Sequence, residues 1–317
     1  MNAKILDVTL RDGGYCNGFH FHRATTLDIV ESLHKSGIDY IEIGYRNGTN
    51  IQINNLGENG LCEDGFIEAI IKKNKDAKLA VMMHAKHCNV HDIDRLAELG
   101  VRMVRFCIGP ELDARTQELL SYAKERLLLV CANLIRITER TTSDLTSVVS
   151  QLNKIGINFL YIADSNGSLT PSKTSEIFNF LKKEFDVPLG FHAHDNLGLA
   201  LSNSIVALEN GVELIDSSLT GIGKGSGNLA TEKLVTYLIK RNGEYHYELT
   251  SILEVIERLK HKNDVTFNML KPESMISGLF DLNMEDIKKI KTRSLRSYYQ
   301  HALEIFSEKK QLLEKYN

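Results

Sequence analysis

Residues 36–38, Ser36-Gly37-Ile38, end a stretch of helical spacing and open a β-branched run. The chain repeats that junction as Leu99-Gly100-Val101, Ile155-Gly156-Ile157 and Asn210-Gly211-Val212. A glycine at a helix C-cap takes the left-handed conformation without a Cβ penalty, and a β-branched residue after it favours a strand. The same helix-to-strand step thus occurs four times at wide intervals. Working outward, apolar runs at 5–10, 40–44, 78–83, 101–106, 127–134, 159–163, 187–189 and 212–216 read as strands. Between them lie helical patterns such as 25–36, where Leu27, Val30 and Leu33 share a face, and 66–73. Eight alternating units over about 250 residues predict a parallel (β/α)8 TIM barrel. A doubly wound open sheet would carry a dinucleotide fingerprint after its first strand. Here that turn reads Arg11-Asp12-Gly13-Gly14.

After about residue 245 the alternation stops. Residues 249–259, 284–290 and 295–313 have helical spacing and no strand pattern follows. We therefore divide the chain into a catalytic barrel, 1–244, and a C-terminal helical extension, 245–317, that packs on the barrel or on a neighbouring subunit. The 317 residues are 43% hydrophobic, enough for a full core, and the formal charge of -3 comes with no basic block. That argues against a nucleic-acid partner. No apolar run approaches the ~20 residues that span a bilayer, so no membrane segment is expected. The first strand begins almost at once and leaves no room for a signal peptide. Five scattered cysteines without a C-x-x-C pair fit a reduced, cytoplasmic protein.

The chemistry-bearing stretch is Gly190-Phe191-His192-Ala193-His194-Asp195-Asn196, which follows the seventh strand run. Side chains two apart on a strand share a face, so His192 and His194 point one way. In barrels of this kind the active site lies at the C-terminal ends of the strands. Asp12 ends the first strand, and Asn228 follows the eighth in Thr220-Gly221-Ile222-Gly223-Lys224-Gly225-Ser226-Gly227-Asn228. Barrel closure puts strand eight between seven and one, so Asp12, His192, His194 and Asn228 meet at one rim. A carboxylate, two imidazoles and an amide oxygen suit a divalent ion with open positions, Mn²⁺ or Mg²⁺ foremost. The glycine-rich loop either holds an anion or acts as an arm that delivers Asn228, the second reading being preferred. Arg11, beside the predicted ligand Asp12, can hold a carboxylate or a developing enolate oxygen. Glu42 and Asp164, at the ends of strands two and six, are acidic groups that could orient it.

Three strings carry a family resemblance: Val8-Thr9-Leu10-Arg11-Asp12-Gly13, His192-Ala193-His194-Asp195-Asn196-Leu197-Gly198-Leu199-Ala200, and Gly225-Ser226-Gly227-Asn228-Leu229-Ala230-Thr231-Glu232. In this order they resemble the metal-dependent barrel superfamily of the HMG-CoA lyases, which also holds the 4-hydroxy-2-oxovalerate aldolases and the isopropylmalate and homocitrate synthases. The resemblance covers about residues 4–240 and is nearest to the aldolase group, in a branch with Arg11-Asp12-Gly13-Gly14-Tyr15. It implies that Asp12, His192 and His194 bind the metal, that Asn228 completes the site, that Arg11 steadies an enolate and that Glu42 is an acidic active-site group. Two departures stand out. The lyases carry a cysteine in the loop before the asparagine, and Gly221 to Gly227 has none. The aldolases carry a basic histidine three residues after the aspartate, and Tyr15 stands there.

The implied reaction is cleavage or formation of a 4-hydroxy-2-oxo acid through a pyruvate enolate. Tyr15, His20, His22 and a hydroxide on the ion are the candidates for the base. His84 and Asp164 are expected to face the small 2-oxo acid substrate together with Arg11. Two other readings share the barrel: a Claisen-type synthase joining an acyl-CoA to a 2-oxo acid, and a non-catalytic partner subunit. A homodimer is expected, with a dehydrogenase as the further candidate partner.

Overall fold

Strand β1 (Lys4–Asp7) pairs in parallel with β2 (Tyr40–Tyr45) on one side and β8 (Leu214–Ser217) on the other. That double pairing closes the sheet. Between β2 and β8 run β3 (Leu79–Met83), β4 (Met103–Ile108), β5 (Leu129–Leu134), β6 (Phe159–Asp164) and β7 (Leu189–Ala193), in chain order around a closed barrel. The computed structural model describes residues 3–242, 246–262, 272–292 and 294–316. The fold is the expected (β/α)8 barrel. The four recurring junction glycines, Gly37, Gly100, Gly156 and Gly211, all take left-handed φ between 73° and 88°.

Strand ends differ from the sequence reading in one place that matters. The first apolar run extends to Leu10, but β1 stops at Asp7. The Asp7 carboxylate accepts the Thr9 N–H at 2.9 Å, and the N–H groups of Arg11 and Asp12 both donate to the Val8 carbonyl. Val8 and Leu10 are buried in a turn rather than in the sheet. Arg11 and Asp12 therefore sit on a tight loop over the barrel mouth.

Inside the barrel, polarity rises toward that mouth. Along β4 the inward positions are Met103, Arg105 and Cys107. Met103 belongs to an apolar layer with Leu6, Tyr40, Ala80, Phe159 and Leu214. Arg105 is fully buried among charges, and Cys107 reaches the cavity. The intervening Val104 and Phe106 face the surrounding helices. Gly190 on β7 is needed because a Cβ there would come within 2.6 Å of the Tyr161 ring, which fills the interior.

The C-terminal helices do two things. Helix Leu249–Lys262 buries Ile252, Val255, Ile256 and Leu259 in the barrel's own outer core and ties Arg258 to Asp28 at 3.0 Å. Helices Pro272–Leu279, Met284–Lys289 and Leu295–Tyr316 share a small core of Ile276, Phe280, Leu282, Tyr298 and Ala302. Asp281 fastens that group to the barrel mouth, accepting from Thr138 at 2.8 Å, Asn166 at 2.9 Å and Ser168 at 2.5 Å. Among the described residues no helix is long and apolar enough to cross a membrane.

Candidate metal centre

Asp12, His192 and His194 each offer a donor atom, and these atoms lie within 4.8 Å of one another, all buried. His192 is the penultimate residue of β7, and its Nδ1 is 2.9 Å from Asp216 Oδ2 on β8. His194 follows the strand, and its Nδ1 is 3.2 Å from the Gly227 carbonyl. A carbonyl only accepts, so His194 carries its proton on Nδ1. Asp216 is held below the usual carboxylate range, Arg105, His192 and Arg11 together outweighing the upward push of burial. It too accepts. A neutral imidazole donates from one nitrogen only. With both rings neutral, as metal ligation requires, both Nε2 atoms present lone pairs, 3.4 Å apart. Two facing lone pairs in a buried place are what a cation relieves. Burial pushes His194 down to about 3, so the ring is neutral.

Asp12 contributes the negative charge. Burial alone would raise its carboxyl, but Arg11 and the two imidazoles outweigh burial and hold it well below the usual range. One oxygen accepts Arg11 Nη1 at 2.6 Å, and the other accepts Asn228 Nδ2 at 3.0 Å and the Lys224 N–H at 3.3 Å. Asn228 spends its second N–H on the Ile222 carbonyl at 3.0 Å. That leaves Asn228 Oδ1 buried without a partner. Such an orphan costs about 1–3 kcal/mol, which coordination to a cation would remove. The donor set (one carboxylate, two imidazole nitrogens and an amide oxygen) fits a divalent ion.

The glycine-rich loop lies across this cluster. A Cβ on Gly223 would come within 2.3 Å of Asn228 Nδ2 and 2.7 Å of Asp12 Oδ2. The loop backbone can press onto the centre only because that position is glycine. The geometry matches the arm that brings Asn228 into place, and an isolated bridge pairs His194 with Asn228.

Beneath the cluster is a layer of paired charges. Arg11 Nε donates to Glu42 Oε2 at 2.6 Å, Arg105 Nη1 donates to the same oxygen at 3.0 Å, and Arg105 Nη2 donates to Asp216 at 2.8 Å. The Arg105 guanidinium lies 4.1 Å from the Tyr161 ring centre. Arg11 Nη2 is buried with no hydrogen-bond partner. Arg11 is salt-bridged to Asp12 and Glu42, and its Nη2 also lies 3.9 Å from Asp216 Oδ2.

A cavity of about 300 Å³ opens over the cluster. Of the residues singled out from sequence, Arg11, Asp12, Tyr15, His84, His192 and His194 line it. The Tyr15 hydroxyl donates to Tyr45 at 3.1 Å, and burial pushes Tyr15 upward, so it is a neutral phenol. His84 stacks on Tyr45 with ring centres 5.3 Å apart, and its buried Nε2 has no partner. Burial pushes His84 down to about 3.

Two expectations are corrected. Asp164 does not face the substrate cavity: its two oxygens accept the backbone N–H groups of Ser168 and Leu169 at 3.0 and 3.1 Å. Ala163 lines the cavity instead, and the alternation of β6 turns its neighbour outward. His20 is exposed, held at 2.5 Å on the Asn55 carbonyl, and outside the cavity wall. Glu42 sits below the cavity and bonds Arg11 and Arg105, the arrangement expected of an acidic group that orients Arg11.

Sequence reasoning missed Arg105 and Asp216, although a charge at an inward position of each of two apolar strand runs was a usable signal. It also gave no role to Asn133 on β5, whose buried Oδ1 has no partner at the cavity wall. Nor did it see that Met284, Glu285 and Lys288 of the extension close one side of the cavity.

Fold and site together define a (β/α)8 barrel with a candidate divalent-metal centre at the C-terminal rim of its strands. A family model described as HMGL-like matches residues 2–259, and the chain belongs to that family. Two relatives named 4-hydroxy-2-oxovalerate aldolase, from Geobacillus genomosp. 3 and Carboxydothermus hydrogenoformans, are each 31% identical, over 255 and 257 residues. The alignments cover 80% and 81% of this chain and 75% and 76% of those proteins. Among solved structures, the N-terminal domain of a provisionally named aldolase from Bacteroides vulgatus superposes with a TM-score of 0.81 at 28% identity, covering 94% of this chain and 99% of that one. A Bacillus subtilis HMG-CoA lyase shares the fold at 19% identity and a TM-score of 0.72, covering 84% of this chain and 96% of that one.

Proposed function

We propose that the protein is a divalent-metal-dependent carbon–carbon lyase that cleaves or forms a 4-hydroxy-2-oxo acid by way of pyruvate. The observation that carries this reading is the convergence of Asp12, His192 and His194 within 4.8 Å, beside Arg11, in a chain whose relatives are named aldolases. Asp12, His192, His194 and Asn228 would hold the ion, Mn²⁺ or Mg²⁺. When bound, such an ion supplies Lewis acidity toward the keto and carboxylate oxygens of a 2-oxo acid.

The chain's own residues do the rest. Glu42 and Asp12 grip Arg11 from two sides and Asp216 lies 3.9 Å from its Nη2, so the guanidinium is a fixed positive charge at the cavity wall that favours a developing oxyanion. Asp216 and the Gly227 carbonyl fix the tautomers of the two histidines. Opposite them, the bare Nε2 of His84 is placed to accept the proton of the substrate's 4-hydroxyl. The neutral Tyr15 phenol spends its O–H on Tyr45 and offers the cavity only the lone pairs of its oxygen. His20 has no part in this scheme.

We read residues 1–244 as the catalytic barrel and 245–317 as an extension that shapes its mouth. The apolar side chains exposed on the last helices, among them Leu279, Tyr299 and Phe306, support a homodimer or a dehydrogenase partner there. A cytoplasmic setting accords with five free cysteines.

Metal analysis of the purified chain, followed by a pyruvate-release screen over 4-hydroxy-2-oxo acids, tests the proposal. The expected result is about one divalent ion per chain at the rim site and pyruvate from at least one substrate. Absence of pyruvate with every substrate and every ion would overturn it.

A further inference from the structure

The cavity wall away from the carboxylate–imidazole cluster is cationic, and the extension builds part of it. Lys224 Nζ donates to the Ser165 carbonyl at 3.3 Å. The Ser165 hydroxyl accepts the backbone N–H of Arg136 at 2.9 Å, so Lys224 Nζ and the main chain of Arg136 are both anchored on Ser165, just past β6. The Arg136 guanidinium pairs with Glu285 at 2.5 Å, on helix Met284–Lys289. Lys288 stands three residues further along that helix, on the same face, and lines the same cavity.

The charges on this wall do not cancel. Arg11 is answered by Asp12 and Glu42, and Arg136 by Glu285. Lys224 and Lys288 both line the cavity, and among the described residues neither ammonium is ion-paired. The whole chain carries a formal charge of -3, so this positive surplus is local. A 2-oxo acid anchored by its own carboxylate at the metal end would leave both ammonium groups unanswered. A neutral tail, such as the methyl of a hydroxy-oxovalerate, gives them nothing to bind.

We propose that Lys224 and Lys288, with Arg136 beside them, receive a second anionic group, so that the preferred substrate is a 4-hydroxy-2-oxo acid whose aldehyde-derived fragment ends in a carboxylate or a phosphate. This assignment rests on the aldolase reading and narrows its substrate class. The extension is then part of the recognition site, because Lys288 and the partner of Arg136 both come from it. Asp281 holds it against the rim loops.

The test is calorimetry on the Mn²⁺-loaded full chain with three uncleavable ligands of matched length: 2-oxopentanoate, 2-oxoglutarate and 2-oxo-4-phosphonobutanoate. An anionic tail is expected to tighten binding about tenfold or more, the scale of one charge-assisted hydrogen bond. The tighter of the two anionic ligands identifies carboxylate or phosphate as the natural group. The ratio of anionic to neutral affinity should fall toward one in Lys288→Met and in Lys224→Met. Lys288 is exposed on its helix, so its variant keeps the test meaningful if the change at Lys224 disturbs the loop. Equal affinities in the unaltered protein would overturn the inference and leave the aldolase reading standing. A preference that survives in both variants would overturn the assignment to these lysines. No binding of any of the three ligands would overturn both readings.

Discussion

Met103 and Arg105 stand two residues apart on β4 and both point into the barrel, yet their surroundings are opposite. Met103 lies in a layer of apolar side chains. Arg105 is equally buried but bonded to Glu42 and Asp216, with Arg11 closing the set. The lower layer is held by area removed from water, which has no direction. The upper layer is held by hydrogen bonds between charges, which do. The lower layer should therefore tolerate changes of shape, whereas each group in the upper layer depends on its partner.

The largest effect is expected at the top of the upper layer. Asp12→Asn removes the only negative charge within the metal-ligand cluster. It should abolish metal binding and lower pyruvate release by more than ~10³-fold, beyond the loss of a single oxyanion donor. Metal content and turnover measured on the folded variant would check this. Next, Arg105→Met removes the 2.8 Å cation of Asp216 and leaves buried Glu42 with Arg11 alone. A loss of about 3–5 kcal/mol is expected in urea unfolding. A loss under 1 kcal/mol would erase the distinction between the layers.

A buried carboxylate outside the charged layer sharpens the contrast. Asp216 is held low by cations, whereas burial pushes Asp164 up to about 7. Folded Asp164 therefore binds its proton more tightly than the unfolded chain does, with its ordinary value near 3.8. The stability it contributes is present at low pH and is lost as pH rises through about 7. The difference in unfolding free energy between the unaltered protein and Asp164→Asn should be larger at pH 4.5 than at pH 7.5, by ~2–3 kcal/mol. A difference constant across that range would remove the contrast. The smallest effect belongs to the lower layer: Met103→Leu keeps volume and should cost less than about 1.5 kcal/mol, measurable as a small shift of the urea midpoint.

Much of this architecture was legible in the chain. The repeated glycine junctions announced the helix-to-strand steps, because a left-handed C-cap is a local demand that local sequence must meet. The alternation that put His192 and His194 on one face is also local. Asp164 shows where such reasoning stops. Its place at a strand end was correct, but its carboxylate is turned away from the cavity onto the N–H groups of Ser168 and Leu169 in the following loop. His20 lay close in sequence to the centre and far from it in the cavity, because the loop after Gly13 leads it toward Asn55.

The sequence by itself determined the barrel, the chain order of its strands and the residues able to bind a metal. Those follow from periodicity, caps and donor chemistry within a few positions of each residue. Tertiary structure alone decided that Arg105 and Asp216 support Arg11 and His192, that Asn228 turns a bare oxygen inward, and that the extension brings Lys288 to the cavity. These pairings join residues up to more than two hundred positions apart, such as Asp12 with Asn228. Only the closing of the sheet and the docking of the last helices set their distances.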